Sequence, residues 1–183
     1  MHSKKWHRFV LLCVATIIIL PFAGSDKSQF TSFACDDKTE DGVPVVKTAI
    51  QFINPLASGT VTLGFGPARD PFTGKPWQHI GVDLKALVGE PVRASSDGQV
   101  VDAVEEYTVN EGRGRYITIQ HQDGFATRYT HLQSLKVKAG DQVHAGDVIG
   151  TVGSTGRSTG PHLHFELLKE NEPQNPQQYI HFK

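Results

Sequence analysis

Apolar residues along most of this chain recur at every second position in short runs closed by Gly, Asp, Asn or Pro, and almost nowhere at helical spacing. The pattern predicts a strand over 99–104 after an Asp97-Gly98 turn. It predicts a second over 116–120, a turn at Asp123-Gly124 and a return over 125–132, which together form an antiparallel hairpin. Ala139-Gly140-Asp141 and Ala145-Gly146-Asp147 echo one another, each preceding an apolar strand start at Val143 or Val148-Ile149, and read as tight turns. Residues 45–53 are the one modest helix candidate. The expected class is all-β, with antiparallel sheets, Gly-rich hairpins and short helices at most.

The ends of the chain break this pattern. Lys4, Lys5 and Arg8 precede an uncharged apolar run over 9–23, and polar Ser25, Asp26 and Lys27 follow it. Its 15 residues fall short of the roughly 20 a spanning helix needs, and Ala23-Gly24-Ser25 offers small residues for a signal peptidase. Residues 1–25 therefore read as a signal peptide or N-terminal membrane anchor, and the remainder as exported. Residues 26–54 are polar and acidic, with Asp36, Asp37, Glu40 and Asp41 close together, and read as a linker or stalk; the sequence leaves open whether it covers the groove in a latent form. The folded domain is expected over 55–183.

Composition narrows the chemistry. The 183 residues are 38% hydrophobic and 20% charged, as in one globular domain. Beyond residue 24 the chain holds 15 basic and 19 acidic residues, a net charge of −4, which argues against a nucleic-acid partner. Cys13 and Cys35 make neither a disulfide framework nor a Cys-x-x-Cys pair. Ser32-Phe33-Ala34-Cys35 departs from a lipid-attachment site at bulky Phe33, so Cys35 reads as a free thiol. With nine histidines and two cysteines, any metal here is bound by imidazole and carboxylate.

Two clusters carry that chemistry: His79-Ile80-Gly81-Val82-Asp83, and His162-Leu163-His164 within Gly160-Pro161-His162-Leu163-His164-Phe165-Glu166. Strand parity puts His79, Gly81 and Asp83 on one face with Ile80, Val82 and Leu84 in the core, and Gly81 leaves room for an ion. The same parity pairs His162 with His164 in front of Leu163, Phe165 and Leu167. Ligands of the His, Asp, His type suit Zn²⁺, and a three-ligand set leaves one tetrahedral position open, as in catalytic sites.

The chain from about Asn54 to Ile180 resembles the lysostaphin/LytM-type zinc endopeptidases of peptidoglycan cross-bridges. The likeness rests on His-x-Gly-x-Asp at His79 to Asp83, Tyr-x-His-Leu at Tyr129 to Leu132 and Gly-Pro-His-Leu-His at Gly160 to His164. It is supported by the lead-in from Phe65 to Gly74 and by Asn175-Pro176 with Tyr179-Ile180. The resemblance implies a fold of the duplicated-hybrid-motif type and a zinc ion on His79, Asp83 and His164. It implies that His131 and His162 stay off the metal and serve the reaction. One would act as general base and the other would bond the water or oxyanion, and the sequence leaves open which is which. It also implies peptidoglycan peptide stems or cross-bridges as substrate, and a monomer is expected.

Other readings were weighed against these. Arg69 reads either as an exposed ion pair with Asp70 or as a substrate-binding residue before the site. Glu166 is expected to be an exposed strand residue rather than a group orienting a ligand imidazole. His121, His144 and His181 read as surface or satisfied residues. The loop over 105–115 is expected to wall the groove and take part in choosing the bond. A non-catalytic peptidoglycan-binding or hydrolase-activating relative would have lost ligands, whereas this chain keeps all five His and Asp positions. A phosphocarrier domain is opposed by export and by Asp83.

Overall fold

In the longest apolar strands every second side chain is driven into a common interior: Leu163, Phe165 and Leu167 are fully buried while His162 and His164 between them look outward. The computed structural model describes residues 49–182. Twelve strands follow one another in these residues: β1 (Thr60–Leu63), β2 (Gly66–Arg69), β3 (Pro76–His79), β4 (Val82–Lys85), β5 (Pro91–Arg93), β6 (Gly98–Val104), β7 (Arg115–Gln120), β8 (Phe125–Leu135), β9 (Gln142–Val143), β10 (Val148–Val152), β11 (His162–Lys169) and β12 (Glu172–Gln174). Two single 3₁₀ turns, Gln122–Gly124 and Pro176–Gln178, are the helical elements among the described residues. The expected all-β class is what the chain adopts.

The main sheet runs β1-β4-β11-β8-β7-β6-β9, with β10 joining β5 to β8 and β12 closing a hairpin on β11. Every pairing is antiparallel. β2 and β3 form a separate two-stranded ribbon. β11 is the strand that matters most for chemistry, because its register sets His164 opposite Asp83 of β4 on one side and opposite Thr130 of β8 on the other. Behind it Val82, Leu84, Tyr129, Leu163 and Phe165 pack as one core; burying each such side chain is worth about 1.5–3 kcal/mol.

The hairpin expected over 116–132 is β7 and β8. The two echoed turns are built alike: Asp141 Oδ2 accepts from Lys138 N at 3.0 Å and Asp147 Oδ2 from His144 N at 2.8 Å. Gly140 and Gly146 take φ of 97° and 93°, a region that favours glycine.

Three expectations need correction. Residues 49–53 are not helical; Ile53 N donates instead to Ser95 O at 2.8 Å, which holds the segment extended. The ordered core begins before residue 55, since Phe52 is buried edge-to-face on Phe125 and Tyr179. His79 and Asp83 do not share one strand: the chain leaves the β2-β3 ribbon at His79 and enters the main sheet at Val82, so Ile80 lines the cleft and not the core. The signal or anchor segment, Cys35 and most of the 26–54 linker lie outside the described residues.

Candidate metal centre

Three donor atoms converge where the ribbon meets the sheet. His164 Nδ1 lies 2.8 Å from Asp83 Oδ1 and 3.0 Å from His79 Nε2, and His79 Nε2 lies 3.2 Å from Asp83 Oδ1. Tetrahedral zinc with bonds near 2.0–2.1 Å has ligand-to-ligand edges of about 3.3 Å, so the triangle fits such an ion. Gly81 allows the approach, because a Cβ there would overlap the Phe165 carbonyl oxygen and press on the His164 ring.

Outer partners fix the tautomers. His79 Nδ1 stands 2.7 Å from Gly64 O, an acceptor only, so Nδ1 carries the hydrogen and Nε2 points its lone pair inward. His164 Nε2 faces Glu166 Oε1 at 3.5 Å, which turns Nδ1 toward the same point. Two imidazole lone pairs and a carboxylate oxygen thus meet with nothing but a cation to reconcile them. Burial opposes charge on His164, but Asp83 and Glu166 outweigh it and lift its pKa to about 9. Burial would likewise raise the Asp83 carboxyl; contacts from His164 and His79 prevail and hold it well below the usual carboxylate range. In the absence of a metal this field traps a proton, the simplest substitute for a metal cation.

The other two expected histidines stand beside the triangle. The His131 ring centroid is 4.9 Å from that of His162 and 6.1 Å from that of His164. His131 Nδ1 donates to Thr155 O at 2.8 Å and His162 Nδ1 to Gly160 O at 2.8 Å, so each ring presents a free Nε2. Burial, reinforced by His162, pushes His131 down to about 4, keeping it an uncharged base at neutral pH. His162 Nε2 lies 3.8 Å from Asp83 Oδ1.

Sequence reasoning missed several members of the site. Glu166, expected to be exposed, is buried and held by Arg128 Nη1 at 2.8 Å, with Arg113 Nε at 3.5 Å. Arg69, read either as an ion pair with Asp70 or as a substrate-binding residue, donates from Nη1 to Gly74 O, while Asp70 pairs with Arg157. Arg113, Arg157, Phe72 and Trp77 line the cleft, a cavity of about 320 Å³ containing all five expected His and Asp residues. His121 is buried and satisfied by Asp97 O and Thr127 Oγ1.

Comparison with known proteins agrees with this geometry. The profile of peptidase family M23 matches residues 77–176, from within β3 to the start of the 3₁₀ turn at Pro176–Gln178. The chain belongs to peptidase family M23. It is 42% identical over 155 residues to the peptidoglycan DD-endopeptidase ShyC of Vibrio cholerae, covering 81% of this chain and 34% of that protein. The chain thus spans about a third of that relative's length. A zinc-containing peptidase from Vibrio cholerae superposes with a TM-score of 0.59 at 37% identity over 68% of this chain and 37% of the other. The catalytic domain of lysostaphin from Staphylococcus simulans superposes with a TM-score of 0.58 at 37% identity, covering 66% of this chain and 91% of that domain. About two-thirds of this M23 chain therefore accounts for nearly all of that lysostaphin domain.

Proposed function

We propose that this M23 protein is a zinc-dependent endopeptidase that hydrolyses peptide cross-links of peptidoglycan outside the cytoplasm, carried across the membrane by residues 1–25. The reading is carried by the convergence of His79 Nε2, Asp83 Oδ1 and His164 Nδ1 beside two imidazoles with free Nε2 atoms. The named activity of the Vibrio relative supports the substrate class.

Zinc on those three donors supplies Lewis-acid charge that polarises the scissile carbonyl and acidifies water. The rest is done by side chains. His131 and His162 offer two bases whose Nδ1–H groups are anchored to backbone carbonyls, so neither ring must turn to receive a proton at Nε2. One takes the proton of the attacking water, and the pair returns it to the departing amine. A non-catalytic role gains nothing from this arrangement.

The test is mass spectrometry of fragments from defined cross-linked muropeptides. His164→Ala is expected to lose both zinc and turnover. His131→Ala and His162→Ala are expected to keep zinc and lose about 10²–10⁴-fold in kcat. Undiminished hydrolysis by metal-free protein would overturn the proposal.

A further inference from the structure

Beside the cleft the guanidiniums of Arg113, Arg128 and Arg157 share two carboxylates, Glu166 and Asp70. Arg113 and Arg157 both line the cleft, on loops hydrogen-bonded to each other through Arg157 N and Gly112 O at 3.0 Å. The two loops meet through Gly114 and Gly156: a Cβ on Gly156 would overlap the Gly114 backbone, and one on Gly114 would overlap Thr155. Thr155 Oγ1 joins them again, accepting from Arg115 N at 3.0 Å and donating to Leu132 O at 2.8 Å. The carbonyl of the same Thr155 holds His131, so the loops that carry the two arginines are tied to the strand that carries His131.

Each guanidinium keeps donors in reserve. Arg157 binds Asp70 through Nη2 alone, at 2.6 and 2.8 Å, and lies 4.3 Å over the Phe72 ring. Its Nη1 and Nε, with three N–H groups between them, are left for another acceptor. Among the described residues the Arg113 guanidinium makes only the 3.5 Å contact from Nε to Glu166, a carboxylate already paired with Arg128 at 2.8 Å, and its side chain is 48% exposed. The Arg113 guanidinium thus keeps its parallel Nη1 and Nη2 edge, which is matched to a carboxylate, and Arg157 offers single charge-assisted donors.

We propose that Arg113 and Arg157 form a subsite for a free carboxylate of the peptide substrate, selecting acidic stem peptides over neutral bridges. This deepens the endopeptidase reading and rests on it for the identity of the peptide. Glycine-only bridges offer no side-chain carboxylate and gain nothing from such a subsite.

The experiment is calorimetric titration of the full chain with two stem peptides differing only in a carboxylate or carboxamide on the residue next to the scissile position. The acid is expected to bind at least about tenfold more tightly, with the advantage shrinking as salt is added. In Arg157→Gln and in Arg113→Gln the ratio is expected to fall toward one. Arg113→Gln removes only one long contact, so it reports on the subsite even if Arg157→Gln disturbs the loop. Equal binding of the two peptides by the wild type would overturn the subsite whether or not cross-links are cleaved. Preserved discrimination without cleavage of any cross-link would instead refute the endopeptidase reading and leave the subsite standing.

Discussion

Glu166 shows how one residue joins the site to the sheet. Its carboxylate faces His164 Nε2 and is held from the neighbouring strand by Arg128 Nη1. Burial alone would raise its pKa; His164 and the two arginines reverse that and keep it ionised. Glu166→Gln removes the charge that orients the ligand ring, and zinc affinity is expected to fall about 10–100-fold, measured by competition with a chromophoric chelator. Unchanged affinity would refute the role. Gly81→Ala should destabilise the domain by about 1–3 kcal/mol in denaturant unfolding, because its Cβ meets backbone and not a yielding side chain. The three donor residues were legible from the His-x-Gly-x-Asp and His-Leu-His motifs, although parity misplaced His79 and Asp83 on one strand. Glu166 was not, because its partner Arg128 lies 38 positions away on β8. Arg69 and Asp70 look like a pair in sequence, yet neighbours on an extended chain point apart, and Asp70 finds Arg157 instead.

At the scale of elements, β8 carries the least foreseeable feature. Between β7 and β8 the register shifts between Arg115 and Ile117, opposite Leu132 and Tyr129, so β8 holds an extra residue there. His131 sits in that bulge with φ of 62°. A bulge re-aims a side chain, and here it turns His131 toward the metal centre; alternation of apolar residues reveals β8 but not the bulge within it. The break after His79 was equally hidden, because His-x-Gly-x-Asp also fits a single strand. The loops beside the cleft are tied by Asp70 and Arg157, whose guanidinium holds the Asp70 carboxyl down to about 2 from its ordinary 3.8. Since the folded value is depressed, the tie contributes fully above about pH 4 and fades as pH falls through the folded value. The stability gap between wild type and Asp70→Asn, from denaturant unfolding, should therefore be flat from pH 7 to 5 and close toward pH 2. A gap that persists at pH 2 would contradict the assignment.

For the whole molecule, the strand content and hairpin order followed from alternation and turn residues. The pairing of β4 with β11 and of β10 with β5 did not, because contacts between distant segments leave no local signature. The pairing of β4 with β11 sets Asp83 opposite His164, so under the proposed zinc centre metal binding and folding are linked. Zinc at a hundred times its Kd should add about 2.7 kcal/mol and raise Tm by roughly 5–10 °C, and a chelator should reverse it in calorimetry. A Tm indifferent to both would separate the ligand triangle from any ion. The most direct measurement is X-ray absorption at the zinc edge of the purified protein. Nitrogen and oxygen neighbours at about 2.0–2.1 Å in fourfold coordination, with the zinc signal itself lost in His164→Ala, are the expected result. Sulfur neighbours, or a spectrum unchanged in His164→Ala, would contradict the His79, Asp83 and His164 centre.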